Sequence, residues 1–212
     1  MNWRDSLLLY LVTPSVEDEA EFFRQTEAAI KAGVTFVQFR EKNLPDDRFL
    51  SIGLRLKDLC KKNNVPFVVN DRVALGVEMG CDGVHVGQMD MNADDVRKII
   101  GEDKILGVSA QTVEQALLAE KKGADYIGVG AVFPTMSKDD ADLVDYETLA
   151  EICKAVSVPV VAIGGIGENN VSQLAGTGIC GVAVISAIYG VRDVERATVG
   201  LRNLTEKVVK GD

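Results

Sequence analysis

The chain has few of the residues on which zinc binding and nucleophilic catalysis depend. Its 212 residues include one histidine and four cysteines. The cysteines are scattered and form no CxxC pair, at Cys60, Cys81, Cys153 and Cys180. This spacing argues against a zinc site or a disulfide framework and indicates small buried side chains in a reducing compartment. No Ser/His/Asp or Cys/His set and no GxGxxG after a strand is evident, so the sequence gives little support to nucleophilic catalysis or a Rossmann-type site.

An excess of basic residues and long apolar runs are also lacking. The 23 Lys and Arg residues are outnumbered by 32 Asp and Glu, giving a net charge of −9, which argues against a nucleic-acid or anionic membrane surface. The apolar run at 7–12 ends at Thr13-Pro14 and is too short for a signal peptide or a membrane span. We therefore expect a cytoplasmic protein that binds small molecules, and leave a homo-oligomer open.

Short apolar, β-branched segments alternate with amphipathic segments along the whole chain. The pattern predicts strands at 7–12, 35–40, 66–70, 83–86, 105–109, 126–130, 159–163 and 181–186. It predicts helices at 17–32, 46–63, 72–79, 92–100, 113–122, 146–156, 169–177 and 193–209. Asn92 and Thr112 are candidate N-terminal caps, and Gly80 is a candidate C-terminal cap.

Eight βα units of this regularity predict a single (β/α)8 TIM barrel that spans residues 1–212. The alternative is a doubly wound open sheet, but the regularity of the repeat favours closure. In such a barrel the active site lies at the C-terminal ends of the strands. Thr13-Pro14, after the first strand, carries no evident functional signal.

Polar side chains follow the second, third and fourth predicted strands. Arg40 and Lys42 are suited to phosphate, because Arg offers a planar fork of donors and Lys a compact charge. Asp71 and Asp90 are hard oxygen ligands, and Mg²⁺ usually binds one or two carboxylates plus substrate phosphates. This inventory indicates a pyrophosphate held through a divalent metal. Solvated loop ends and ordinary ion pairs are the alternative, which the repetition at successive strand ends disfavours.

A second anion site is indicated after the later strands. Backbone N–H groups near Gly164-Gly165 and Ser186-Ala187 suit a phosphate cradle, although a tight turn would also explain the glycines. The loop at 131–145 offers the Thr135 and Ser137 hydroxyls and the Lys138 cation, and its length suits either a lid or a plain surface loop. His85 is expected to have a packed, hydrogen-bonded role rather than a catalytic one.

Ordered motifs over most of the chain resemble those of the thiamine phosphate synthases, from Leu9 to about Ile188. The motifs are Val37-Gln38-Phe39-Arg40-Glu41-Lys42, Val69-Asn70-Asp71-Arg72, Asp82-Gly83-Val84-His85-Val86-Gly87-Gln88 with Asp90, Gly107-Val108-Ser109, Val132-Phe133-Pro134-Thr135, Ile163-Gly164-Gly165-Ile166 and Val184-Ile185-Ser186-Ala187. The chain departs from the family pattern at Ser137, where a threonine is usual, and at Gln111, where His or Asn is frequent.

The resemblance implies an enzyme that joins hydroxymethylpyrimidine pyrophosphate to hydroxyethylthiazole phosphate, giving thiamine phosphate and pyrophosphate. It implies that Mg²⁺ is held by Asp71 and Asp90. The pyrimidine and its pyrophosphate would be surrounded by Gln38, Arg40, Lys42, Asn70, Ser109 and Lys138, of which Arg40, Lys42, Ser109 and Lys138 would be catalytic. The thiazole phosphate would be received by Thr135, Ser137, Gly165, Ile185 and Ser186.

Three other functions stay open at this point. A related thiazole tautomerase would keep the barrel, lose much of the metal and pyrophosphate set, and carry a histidine near Gln111. A non-catalytic barrel would bind a thiamine precursor without turnover. An isomerase of amino-acid biosynthesis would need a well-placed acid and base, and would have no use for two carboxylates beside a pyrophosphate cluster.

Overall fold

Eight parallel strands close into a barrel in a computed structural model that describes residues 3–135 and 143–211. The strands follow one another in sequence order, and the last pairs with the first through Leu9 and Val182. They are β1 (Leu9–Val12), β2 (Phe36–Phe39), β3 (Phe67–Asn70), β4 (Gly83–Val86), β5 (Ile105–Ala110), β6 (Tyr126–Val129), β7 (Val160–Ile163) and β8 (Gly181–Val184). The predicted (β/α)8 barrel is confirmed, and the open sheet is excluded.

The helices cover the outside of the sheet. They are α1 (Glu19–Ala32), α2 (Asp46–Lys62), α3 (Val73–Met79), α4 (Ala93–Ile100), α5 (Val113–Lys121), α6 (Tyr146–Ala155), α7 (Ser186–Tyr189) and α8 (Val194–Lys210). Short 3₁₀ helices form at Trp3–Leu7 and Val171–Leu174. Within the described part of the chain, no helix is long and apolar enough to cross a membrane.

One helix prediction is wrong, one helix was not predicted, and one strand begins later than predicted. The α-helix predicted at 169–177 is only a 3₁₀ turn, because Gly176 and Gly178 adopt φ of 85° and 93° and end the helical path after one turn. The short α7 between β8 and α8 was not predicted. The first strand begins at Leu9 rather than at residue 7, since the preceding segment is 3₁₀ helix.

The helix caps agree with the predictions in part. Thr112 Oγ1 accepts a hydrogen bond from the Gln115 N–H at 3.2 Å, as an N-cap should. Gly80 ends α3 in the left-handed conformation, with φ 63° and ψ 44°, which glycine adopts without steric cost. Asn92 precedes α4, but its side chain makes no capping hydrogen bond, so that prediction is wrong.

The barrel interior is filled by aromatic and aliphatic side chains. Tyr10, Phe36 and Tyr126 are almost completely buried and pack against one another as a ring cluster. Most of the remaining apolar core lies between the strands and the helices. The interior is therefore a packed core, and space for a ligand is confined to the ends of the strands.

Candidate active site

The end of β2 is fixed by a residue of the neighbouring strand end. Thr13, fully buried, accepts a hydrogen bond from the Arg40 N–H at 3.0 Å and donates to the Arg40 carbonyl at 3.4 Å. Thr13 therefore holds the backbone from which the Arg40 side chain extends. The end of the first strand is thus informative after all. Lys42 follows in the same loop and is exposed.

Two charged residues brace the loop that carries Lys42. Glu41 is 4% exposed, and its two carboxylate oxygens accept hydrogen bonds from the Val16 N–H at 2.8 Å and the Asn43 N–H at 2.9 Å. Arg72 donates to the carbonyls of Lys42 at 3.1 Å and Leu44 at 2.8 Å. A buried carboxylate that accepts two backbone N–H bonds holds the two backbone segments together. The loop after β2 is therefore tied to the loops after β1 and β3.

The two predicted metal ligands lie next to each other. Burial, a hydrogen bond with Asp90 and the charge of Asp90 raise the pKa of Asp71 to about 6, while the charges of Lys42 and Arg40 act in the opposite direction. Asp90 Oδ2 also accepts a hydrogen bond from the Gly87 N–H at 2.7 Å. Two carboxylates and two cations from the ends of β2, β3 and β4 thus interact at one place.

These side chains fit a magnesium ion bound together with a phosphate ligand. Among the described residues, no group of three or more His, Cys, Asp or Glu side chains could hold a metal ion by itself. Mg²⁺ seldom uses such a cage, because it keeps several waters and takes one or two carboxylates plus substrate phosphates. The repulsion within the Asp71–Asp90 pair is the kind that a divalent cation relieves.

Ser109 and Asn70 lie on the barrel wall beside His85. The Asn70 and His85 backbones are paired across β3 and β4. Ser109 Oγ lies 2.9 Å from His85 Nε2, and the Ser109 carbonyl accepts from Gln88 Nε2 at 2.6 Å. His85 is buried and hydrogen-bonded, as expected. Gln38, buried inside the barrel, donates to Tyr10 Oη at 2.6 Å.

The predicted phosphate side is built where the loops after β6 and β7 meet. The Phe133 N–H donates to the Gly164 carbonyl at 3.1 Å. Gly165 has φ of 64°, and a Cβ there would overlap the Pro134 and Phe133 carbonyls, so only glycine fits. Thr135 is the next residue after Pro134 and therefore lies beside this contact.

Ile185 and Ser186 occupy the end of β8 and the start of α7. Ile185 is the residue before the helix, and Ser186, which is exposed, is its first residue. Ser137 and Lys138 lie outside the described residues, as do the other residues at 136–142 of the loop that could be either a lid or a plain surface loop.

Sequence reasoning missed several residues that support this site. Thr13, Tyr10 and Tyr126 lie in or next to apolar strands and resemble ordinary core residues, so no local signal marks them. Glu41 was quoted within a motif without a role, and its position between two cations in Arg40-Glu41-Lys42 was the available hint.

Comparison with known proteins identifies relatives along most of the chain. Residues 9–188 match the family model described as thiamine monophosphate synthase. The thiamine-phosphate synthase of Clostridium tetani is 52% identical over 190 residues, which cover 89% of this chain and 91% of that protein. The thiamine-phosphate synthase of Methanobrevibacter smithii is 48% identical over 195 residues, which cover 92% of this chain and 93% of that protein.

A solved structure agrees with these sequence relatives. The thiamine phosphate pyrophosphorylase of Pyrococcus furiosus superposes with a TM-score of 0.88 at 38% identity, covering 98% of this chain and 100% of that one. The matched residues 9–188 coincide with the range over which the motifs resemble a known family.

Proposed function

The chain belongs to the thiamine monophosphate synthase family, and on this premise we propose that it condenses hydroxymethylpyrimidine pyrophosphate with hydroxyethylthiazole phosphate. The products are thiamine phosphate and pyrophosphate, which makes the enzyme a transferase. The main support for the proposal is that two carboxylates, Asp71 and Asp90, interact with two cations, Arg40 and Lys42, at one place. The names of the relatives support it independently.

The pyrophosphate is assigned to the ends of β2, β3 and β4. Arg40 offers a planar donor fork for phosphate oxygens, and Lys42 adds a compact positive charge. We assign Mg²⁺ to Asp71 and Asp90. When bound, Mg²⁺ supplies positive charge that stabilises the departing pyrophosphate. Thr13 and Glu41 keep the β2 end and its loop in place, so the cations need little reorganisation when substrate arrives.

The reaction breaks one bond and forms one. The bond between the pyrimidine CH₂ carbon and the pyrophosphate oxygen breaks, and its electron pair leaves with pyrophosphate. The carbocation that remains is stabilised by the aminopyrimidine ring, and the lone pair of the thiazole nitrogen then forms the new C–N bond. No proton has to be removed in either step, which agrees with a site that has one histidine. Catalysis then rests on charge stabilisation and positioning.

The pyrimidine is assigned to Gln38, Asn70 and Ser109, whose side chains offer amide and hydroxyl groups at the ends of β2, β3 and β5. The thiazole phosphate is assigned to the loops after β6, β7 and β8. Gly165 lets the backbone approach an anion closely, and Thr135, Ile185 and Ser186 add hydroxyl and backbone N–H donors. Ser137 and Lys138, outside the described residues, complete the two sets.

The thiazole tautomerase and the non-catalytic barrel predict other outcomes. The retained carboxylate and cation set, and Gln111 in place of a histidine, favour the synthase. The discriminating experiment incubates the purified protein with both substrates, and separately with the thiazole precursor alone. Thiamine phosphate from the pair supports the proposal. Isomerisation of the thiazole without condensation supports the tautomerase, and tight binding without any product supports the binding protein.

We place the reaction in the cytoplasm. All four cysteines are free thiols in the structure, as is typical of proteins in reducing compartments.

A further inference from the structure

A chain of hydrogen bonds crosses the barrel interior from Gln38 to Ser109. Gln38 Nε2 donates to Tyr10 Oη at 2.6 Å, and Tyr10 Oη lies 2.8 Å from Tyr126 Oη. Tyr126 Oη lies 2.9 Å from His85 Nδ1, and His85 Nε2 lies 2.9 Å from Ser109 Oγ. The three central groups, those of Tyr10, Tyr126 and His85, are buried. The chain thus joins two side chains assigned to the pyrimidine substrate.

The barrel makes room for this chain with glycine. A Cβ at Gly107 would overlap the Tyr126 hydroxyl and His85 Nδ1, and one at Gly128 would lie 3.2 Å from His85 Cε1. Both glycines lie on strands, in β5 and β6, where glycine costs stability relative to residues with side chains. The lack of a side chain at these two glycines therefore leaves the space in which Tyr126 and His85 meet.

The donor directions follow from counting hydrogens. The Gln38 amide nitrogen can only donate, so Tyr10 Oη accepts from it. Burial raises the pKa of Tyr10 and of Tyr126, so each keeps a hydroxyl hydrogen that needs an acceptor. If Tyr10 donates to Tyr126 and Tyr126 donates to His85 Nδ1, both hydrogens are used. In the reverse direction Tyr126 would donate to Tyr10, and the Tyr10 hydroxyl hydrogen would have no acceptor in either Gln38 Nε2 or Tyr126 Oη.

This direction decides what Ser109 can do. A neutral imidazole that accepts at Nδ1 carries its proton on Nε2, so His85 Nε2–H donates to Ser109 Oγ. The Ser109 hydroxyl hydrogen is then not used on His85 and is available to an acceptor on the substrate. In the reverse direction, Ser109 would donate to His85 and present only a lone pair to the site.

We propose that Tyr126 is a positioning residue that fixes His85 as the Nε2–H tautomer and thereby makes Ser109 a hydrogen-bond donor to the substrate. The effect on catalysis rests on the proposed synthase function. The tautomer itself does not, and can be measured without any substrate.

The first test uses the fact that the chain has one histidine. Protein labelled with ¹⁵N-histidine and purified without a histidine tag gives a single imidazole, and its long-range ¹H–¹⁵N correlations show which nitrogen carries the proton. The wild type is expected to show Nε2–H. Nδ1–H, or protons on both nitrogens, would overturn the proposal.

Two matched variants separate this role from simple packing. Tyr126→Phe and Tyr10→Phe each remove one buried hydroxyl from the same ring cluster. Tyr126→Phe removes the donor to His85 Nδ1, so the Nε2–H form should lose population to Nδ1–H. Tyr10→Phe leaves that donor in place and should retain Nε2–H. Equal spectra for the two variants would overturn the proposal.

The second test is kinetic. Tyr126→Phe is expected to lower kcat by about tenfold or more, with an unchanged KM for the thiazole phosphate. If Tyr126 acts through Ser109, the Ser109→Ala/Tyr126→Phe double variant should be no slower than Ser109→Ala alone. Multiplied losses in the double variant would show an independent structural effect and contradict the proposal. A wild type that shows Nε2–H but forms no thiamine phosphate would refute the synthase function and leave the tautomer assignment standing.

Discussion

The carboxyl groups of Asp71 and Asp90 meet at the ends of β3 and β4, where burial and the neighbouring Asp90 raise the pKa of Asp71. Asp71 is held there by an uncommon backbone conformation, with φ of 59°, and its N–H donates to the His85 carbonyl at 2.9 Å. The fold therefore brings two like charges together before any ligand arrives. Such an arrangement is costly for a bare protein and suited to a divalent cation.

Asp71→Asn should abolish Mg²⁺-dependent formation of thiamine phosphate while the fold stays intact. Asn tolerates the positive φ of this position, but its amide is a far weaker ligand for a hard cation than a carboxylate. Steady-state turnover over a range of Mg²⁺ concentrations measures the effect, and circular dichroism checks the fold. Normal turnover in this variant would remove Asp71 from the proposed metal site.

The same substitution should stabilise the metal-free protein. The pKa of Asp71 is raised from 3.8 to about 6, so the folded state binds the proton more tightly than the unfolded state does. The charged form therefore destabilises the fold above pH ~6, and stability returns as the pH falls through 6 towards 4. In EDTA at pH 8, Asp71→Asn should raise the free energy of unfolding by about 1–2 kcal/mol, allowing for solvent screening of a partly exposed group.

Denaturant unfolding of the wild type and the variant, repeated from pH 8 to pH 4, checks this prediction. The difference should shrink below pH ~6, where the wild-type carboxyl is protonated in the folded state. A difference independent of pH would mean that Asp71 does not titrate as described.

Glu41→Gln should loosen the loop that carries Lys42. One of the two carboxylate oxygens becomes an NH₂ group, which cannot accept from the Val16 or Asn43 N–H. An unsatisfied buried N–H costs about 1–3 kcal/mol, and each kcal/mol lowers Tm by about 2–4 °C in a chain of this size. Calorimetry measures Tm, and kcat/KM should fall as well. Glu17→Gln, on an exposed residue, is the matched control, and an equal effect there would contradict the assigned role.

Ser186→Ala should mainly weaken the binding of thiazole phosphate. The substitution removes a hydroxyl at the start of α7 without disturbing a buried contact, since Ser186 is exposed. Loss of a hydrogen bond to a charged phosphate should raise KM for this substrate by about tenfold or more, with little change in kcat. Ser172→Ala, an exposed serine in the 3₁₀ helix after β7, serves as the control. An unchanged KM in Ser186→Ala would count against the cradle.

Strand and helix periodicity was sufficient to predict the barrel. The strands are short apolar runs that the structure buries, and αβ turns such as Met79-Gly80 mark the ends of helices clearly. The prediction was wrong at 169–177, where Gly176 and Gly178 limit the segment to a 3₁₀ turn. The two glycines are visible in the sequence. Whether they end an α-helix or limit the segment to a 3₁₀ turn depends on the backbone angles that they adopt.

The candidate site was partly predictable for a related reason. Arg40, Asp71 and Asp90 stand at strand ends, where the core does not require charge, so their residue types were informative. Tyr10 and Tyr126 were missed because a tyrosine in an apolar strand resembles a core residue until the barrel closes and its hydroxyl meets a partner. Thr13 was missed because its partner, Arg40, lies 27 positions away in the chain.

Product formation shows whether this barrel joins two anionic thiamine precursors with the help of a metal held by Asp71 and Asp90. The purified protein is incubated with hydroxymethylpyrimidine pyrophosphate and hydroxyethylthiazole phosphate in Mg²⁺, and again in EDTA. Thiamine phosphate and pyrophosphate should form in equal amounts with Mg²⁺, and neither should form with EDTA. Folded protein that forms no thiamine phosphate in Mg²⁺ would contradict the function, and equal turnover in EDTA would contradict the role of the metal.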